Sequence, residues 1–280
     1  MRFKSKEIDL TTPQVMGVLN FTPDSFSDGG SFDQLDKALK HAELMLFEGA
    51  DFIDIGGEST RPGAADVSEQ QELDRVIPLI EAISTRFDTV ISIDTSKAAV
   101  MTSAVNAGAS FINDVRALRE PGALQAASAA GVPVCLMHMQ GQPRSMQNAP
   151  DYQNLLDEVS VFLQDRINLC EQAGIARSQI VIDPGFGFGK NLEHNYHMLA
   201  NLEHFHRIGV PVLAGMSRKS MIGQLLERDV NERLAGSIAV AMVAAQKGAQ
   251  IIRVHDVKET VDAVKVVSKL NAYRNNNNER

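Results

Sequence analysis

Cysteine is scarce in this chain: Cys135 and Cys170 are the only two, far apart in sequence and in no CxxC pair. That excludes a disulfide-stapled scaffold and reads as two reduced core thiols in a cytoplasmic protein. Positive charge is not in excess either. Lys and Arg total 27 against 35 Asp and Glu, a formal net charge of -8, and without a basic footprint nucleic acid is not the expected partner. A small anionic substrate is still compatible. Long apolar runs are missing as well. Residues 1–10 hold none that could serve as a signal peptide, and the longest quasi-apolar stretch, Leu234 to Ala245, is far short of a membrane span. The expectation is a soluble protein with no membrane partner. Several motifs are absent too: GxxxxGK[ST], GxGxxG, HExxH, GxSxG and any Cys/His cluster. A simple nucleotide loop, a zincin site and a nucleophilic serine elbow are therefore unsupported.

What is present is an alternation. Short β-rich runs recur at Val15–Asn20, Phe52–Ile55, Val90–Ile93, Phe111–Asn113, Val134–Met137, Ile180–Asp183, Val212–Gly215 and Ile251–Val254. Segments of helical period lie between them, such as Leu155, Val159, Phe162, Leu163 and Ile167 on one face. Ser31 with Gln34 and Ser68 with Gln71 fit a capping box at the first two helix starts. Gly49, Gly108, Gly131, Gly174, Gly209 and Gly248 precede later strands, where helices should end. Strands that are apolar throughout, alternating with helices, imply a parallel sheet covered by helices. Closed, this is a (β/α)8 TIM barrel of ordinary length; open, it is a doubly wound sheet. No linker splits the chain, so residues 15–272 read as a single domain, residues 1–14 as an N-terminal extension and residues 273–280 as a disordered, solvated tail.

In either architecture ligands bind beyond the carboxyl ends of the strands. Those ends read Asn20, Asp54, Asp94, Asn113 with Asp114, His138, Asp183, then Ser217 to Ser220, then Arg253 with His255. Any one of these could be a helix cap, but so many polar ends at one mouth point to a site. The sixth strand runs into IVIDPGFGFGK, a carboxylate followed by a glycine-rich loop that lets backbone approach a ligand, which makes Asp183 the first candidate contact. Two connections, residues 21–31 and 56–67, are longer than usual and rich in Gly, Pro, Ser and Thr. They read as lids over the site.

The acids and amide Asp94, Asn113 and Asp183 can read a flat heterocycle that offers adjacent donors and an acceptor. The cations Lys219, Arg253 and His255 suit a phosphate. His194, His197, His204 and His206 read as a solvated helical face rather than a metal site. If a metal takes part, Mg²⁺ held mainly by substrate phosphates with help from Asn20 fits best.

The stretches NFTPDSFSDGG (20–30), DIGGESTRPGA (54–64), SIDTSK (92–97), INDV (112–115), DPGFGFGK (183–190), GMSRKS (215–220) and RVHDV (253–257) together resemble the dihydropteroate synthase family. The resemblance runs in order from about residue 15 to residue 257. It implies a (β/α)8 barrel, a transferase of folate biosynthesis and a sulfonamide target. The implied reaction joins 6-hydroxymethyl-7,8-dihydropterin pyrophosphate to p-aminobenzoate, giving 7,8-dihydropteroate and pyrophosphate by a dissociative path. It implies a pterin site of Asp94, Asn113, Asp183 and Lys219 lined by Met137, Phe188 and Gly215. It places pyrophosphate on Asn20, Arg61, Arg253 and His255, Mg²⁺ on Asn20, and p-aminobenzoate near Thr60, Arg61, Pro62 and Ser220. Asp94, Asp183, Lys219 and Arg253 would carry the chemistry, and the chain would act as a homodimer. Two rivals are a pterin-binding methyltransferase-type barrel and an inactive pterin-binding paralogue. Intact STRPG, SRKS and RVH stretches, and a chain too short for a cobalamin domain, favour the synthase.

Overall fold

The computed structural model describes residues 1–22, 31–59, 66–141 and 150–277. Eight parallel strands form one sheet: β1 (Gln14–Asn20), β2 (Phe52–Gly56), β3 (Val90–Asp94), β4 (Phe111–Asp114), β5 (Val134–Met137), β6 (Ile180–Asp183), β7 (Leu213–Ala214) and β8 (Ile251–Val254). β1 pairs with both β2 and β8, and β8 pairs with β7. A parallel bridge between Ile182 and Val212 joins β6 to the approach of β7, so the sheet closes into a ring. The open doubly wound alternative is thereby removed. The seventh strand is shorter than its sequence suggests. Pro211 has no N–H to give, and the Val212 N–H goes to Gln250 Oε1 at 2.8 Å instead of a neighbouring strand.

Helices α1 (Ser31–Phe47), α2 (Glu69–Arg86), α3 (Ala98–Ala107), α4 (Ala123–Ala130), α5 (Leu155–Gln172), α6 (Leu192–Ala200), α7 (Ser220–Leu226), α8 (Leu234–Gln246) and α9 (Val257–Asn277) cover the ring. Ser68 and Gln71 complete the expected capping box at the start of α2. The six glycines placed at helix ends all have positive φ, the conformation that ends a helix at least cost to glycine. On α5 the buried stripe is Leu155, Val159, Leu163, Ile167 and Cys170. α9 continues to Asn277, into the stretch read as a disordered tail.

Side chains alternate along each strand, one set facing the helices and the other the barrel interior. The outward set, including Ile53, Ile55, Ile91, Ile93, Leu136 and Ile182, packs with the helices into the main core. The inward set divides in two. Near the amino ends of the strands, Met16, Phe52, Val90, Phe111, Cys135, Val181, Leu213 and Ile251 form a second apolar cluster together with Phe3 and Ile8. Phe3 belongs to a short antiparallel hairpin, Arg2–Phe3 against Lys6–Glu7, and meets Phe52 and Phe111 edge to face at 5.2 and 5.3 Å. The segment read as an extension is the plug of the barrel floor. Two residues further along, β2, β3, β4, β6 and β8 place Asp54, Ser92, Asn113, Asp183 and Arg253 in the interior. Among the described residues no helix is long and apolar enough to cross a membrane.

Candidate active site

The polar layer begins at the end of β6. Asp183 accepts the Gly185 N–H at 2.7 Å, and the chain then turns through three glycines with positive φ, Gly185, Gly187 and Gly189. A Cβ at Gly185 would stand 1.9 Å from the His138 carbonyl oxygen, and one at Gly189 would stand 2.5 Å from that of Gln140. The loop is therefore glycine both for its backbone conformation and for its close packing on the β5 connection. Lys190, 2% exposed, fills the loop from within. Its ammonium donates to the carbonyls of Gly185 and Phe188, each at 3.0 Å, and lies 2.9 Å from His138 Nδ1. Burial and the neighbouring lysine hold His138 down at about 2, so its ring is neutral and Nδ1 accepts. Burial lowers Lys190 to about 7, against the pull of Asp183. Asn195 on α6 fixes the same loop by accepting the Gly187 N–H at 2.7 Å.

This loop presents Phe188, which with Val115, Met137 and Met139 makes an apolar wall. Lys219 lies 4.5 Å over the Phe188 ring and donates to the Phe186 carbonyl at 2.5 Å. Burial lowers the lysine to about 8, while Asp183 works in the opposite direction. Asp183 itself is buried and its carboxyl is pushed above the ordinary range by desolvation, opposed by Lys219. A flat ring against Phe188 and Met137 would thus meet a carboxylate and an ammonium at its edge.

Across the mouth, Arg253 at the end of β8 donates from Nε to Asp54 at 2.6 Å and from a terminal nitrogen to Asp94 at 2.8 Å. Asp54 also accepts from Asn113 Nδ2 at 3.3 Å. Burial raises Asp94 to about 7, opposed by Arg253 and reinforced by Asp54. Arg253 shifts upward because the carboxylates around it outweigh its own desolvation. Gly215 packs beside this arginine: a Cβ there would lie 3.6 Å from Arg253 Cβ, an ordinary contact. His255 shares the Ser217 hydroxyl at 3.2 Å through both its backbone N–H and Nδ1. Arg218 pairs with Asp256 and ties the start of α7 to the start of α9. Asn20 Oδ1 and the Asp94 side chain stand on either side of Gly56 at the same level.

The structure therefore brings Asn20, Asp94, Asn113, Met137, Asp183, Phe188, Gly215, Lys219 and Arg253 to one mouth, with His255 on its β8 side. Ser220 is exposed at the first turn of α7. Thr60, Arg61 and Pro62 lie outside the described residues, as do residues 23–30 and 60–65 of the two long connections read as lids. Two strand ends are corrected. Asp114 accepts from Ser96 and from the N–H groups of Arg116 and Leu118 at 2.8 and 2.7 Å, so it caps the following turn. His138 serves Lys190. The separation into an acid side and a cation side is also too simple, because Arg253 is bonded to two of the acids and Lys219 belongs to the ring wall. Lys190 was missed as a site support, and Asp54, named only as one of the polar strand ends, was given no role of its own.

The chain matches the family profile described as "Pterin binding enzyme" over residues 16–255. It is 60% identical over 260 residues to the dihydropteroate synthase of Escherichia coli K12, covering 93% of this chain and 92% of that one. It is 58% identical over 262 residues to the dihydropteroate synthase of Haemophilus influenzae, covering 94% and 95%. The structure of the Yersinia pestis dihydropteroate synthase with a sulfonamide drug superimposes with a TM-score of 0.94 at 58% identity, covering 97% of this chain and 99% of that one.

Proposed function

The chain belongs to the dihydropteroate synthase family of pterin-binding enzymes, and from that premise we infer what its barrel mouth does. It is a transferase of folate biosynthesis that joins 6-hydroxymethyl-7,8-dihydropterin pyrophosphate to p-aminobenzoate, giving 7,8-dihydropteroate and pyrophosphate. The observation that carries this reading is the polar layer itself: acids, an amide and a lysine beside an apolar wall, with an arginine across from them. The pterin ring lies against Phe188 and Met137, with its donor edge on Asp183 and Asp94 and further bonds to Asn113 and Lys219. Arg253 and His255 face the pyrophosphate, with Asn20 and Arg61. p-Aminobenzoate takes the side of Thr60, Arg61, Pro62 and Ser220.

The path is dissociative. The C–O bond to pyrophosphate breaks first, its electrons leaving with the phosphate oxygen, and the aniline nitrogen then forms the C–N bond and loses a proton. Arg253 and His255 stabilise charge growing on the leaving group, and Asp94 and Asp183 stabilise the electron-poor ring. The pterin binds first. Among the described residues no group of three or more His, Cys, Asp or Glu could hold a metal by itself. Asn20 offers one hard oxygen at the mouth, across Gly56 from Asp94, which fits a Mg²⁺ carried mostly by substrate phosphates. Such an ion supplies charge neutralisation for the leaving group. We also place a homodimer contact on α7 and α9, where Leu225, Leu226, Val266, Leu270 and Tyr273 are exposed; light scattering tests it, and a cytoplasmic location goes with this role.

The test is pyrophosphate release from the pterin substrate with Mg²⁺, with and without p-aminobenzoate. Release that requires p-aminobenzoate, yields dihydropteroate and is blocked by a sulfonamide is the expected result. Tight pterin binding without release would favour a pterin-binding module instead.

A further inference from the structure

Asp54 has no place in the reaction as described above, yet it is 0% exposed and sits at the centre of the polar layer. Most strand-end carboxylates of this kind are explained by capping, and Asp114 shows what that looks like: three donors, two of them backbone N–H groups. Asp54 is different. Its Oδ2 accepts from Arg253 Nε at 2.6 Å and Asn113 Nδ2 at 3.3 Å, and its Oδ1 has no hydrogen-bond partner among the described residues. It caps no turn. Burying a carboxylate is costly unless a charged partner offsets it, so the side chain is kept for what it holds.

What it holds are one group facing the pyrophosphate and one facing the pterin. We propose that Asp54 is a positioning residue for the transfer reaction: a single oxygen below the ligand layer fixes Arg253 and Asn113 relative to each other. The inference rests on the reading of the site as a pterin pyrophosphate pocket. The two carboxylates on Arg253 then have different fates. Asp94 is in register with Gly56, itself in register with Asn20, at the mouth. Its bond to the arginine is the one exchanged for ligand contacts. Asp54 lies two residues deeper, opposite Ser92 and Val18, out of reach of the substrates, and its bond to Nε persists through binding. Because the guanidinium is planar, fixing Nε sets the direction of both terminal nitrogens.

The test uses the full-length chain with Asp54→Asn, which keeps the shape and removes the charge. We expect KM for the pterin substrate to rise about ten-fold, the loss of one charge-assisted hydrogen bond, with KM for p-aminobenzoate moved less than about two-fold. Since the charge-assisted bond is the one to Arg253, the same substitution in an Arg253→Gln background should change the pterin KM less than about three-fold, the remainder being the longer, neutral bond from Asn113. A parallel rise in both KM values, or an undiminished penalty in that background, overturns the proposal. A second readout needs neither turnover nor a folded variant. In wild-type protein labelled with ¹⁵N-arginine, the Arg253 Nε–H resonance should be protected from exchange and stay so on adding 6-hydroxymethyl-7,8-dihydropterin and inorganic pyrophosphate. Loss of protection on ligand addition also overturns it. A wrong reaction assignment would instead show as an inactive wild type, with the Nε–H readout still deciding the role of Asp54.

Discussion

The two ends of the barrel interior are made by the same strands and have opposite characters. On β2, Phe52 faces the floor and Asp54 the site. On β4 the pair is Phe111 and Asn113, on β5 Cys135 and Met137, on β6 Val181 and Asp183, on β7 and its end Leu213 and Gly215, and on β8 Ile251 and Arg253. A step of two residues, one pleat of a strand, takes the interior from a dry cluster sealed by Phe3 to a layer where Asp54, Asn113, Asp183 and Arg253 stand beside the apolar Met137. Folding energy comes from the floor and from the helical shell, while the mouth contains groups that burial has forced away from their ordinary ionisation, Asp94, Asp183 and Lys219 among them. The difference implies that substitutions should sort by layer.

The largest expected effect is on the floor. Phe52→Ala removes a fully buried ring that touches Phe3 and Phe111, and should cost about 3–5 kcal/mol of stability. Denaturant unfolding measures this, and turnover per folded molecule should be unchanged. A floor substitution that instead lowered turnover without lowering stability would break the division.

At the mouth the signs reverse. Asp183→Asn places an amide donor where the ring also donates and removes a charged acceptor, so pterin affinity should fall by about 1.5–3 kcal/mol, roughly 10- to 150-fold. Because desolvation already works against the ionised carboxyl in the folded chain, the melting temperature should hold or rise. Calorimetry with the pterin, beside a thermal melt, reads both. Unchanged affinity would remove Asp183 from the ring site.

How much of this could be read from residues alone follows from the same geometry. The strands were legible because parallel strands buried on both faces leave uninterrupted apolar runs, and the helix ends because glycine marks positive φ. The ring contacts Asp183, Lys219 and Phe188 were legible because they cluster around one glycine loop. Asp54 was not, since a strand-end acid is a cap as often as a site, and only the position of Arg253, 199 residues away in sequence, decides between them. The plug was hidden for a similar reason. A short hairpin with one buried phenylalanine has no periodicity to announce it.

The pH dependence should belong to the mouth alone. Asp94 must be ionised to accept from the ring, and its folded value is about 7. Lys219 must be protonated to donate, and its value is about 8. Pterin kcat/KM for the free enzyme should therefore rise as pH climbs through about 7 and fall again above about 8, close to ten-fold per pH unit on either limb. Floor substitutions should leave both limbs in place, and Lys219→Met should remove the alkaline one. A flat profile in wild type would mean that neither group binds the ring in the ionisation state assigned to it.

The smallest effect tests whether the mouth side of the barrel also carries stability. Ser68 caps α2 by accepting the Gln71 N–H at 3.2 Å, and the Gln71 side chain returns the bond to the Ser68 N–H at 3.0 Å. The cap lies beyond the carboxyl end of β2, on the same side as the site, but it faces solvent and touches no residue of the polar layer. Ser68→Ala should cost about 1 kcal/mol in denaturant unfolding and leave the pterin and p-aminobenzoate KM values alone. Such a result would show that the division runs between the interior layers of the barrel rather than between its two faces. A change in the p-aminobenzoate KM alone would show instead that the start of α2 sets the course of the connection from residue 57 onward, and the boundary would then have to be drawn around the whole face.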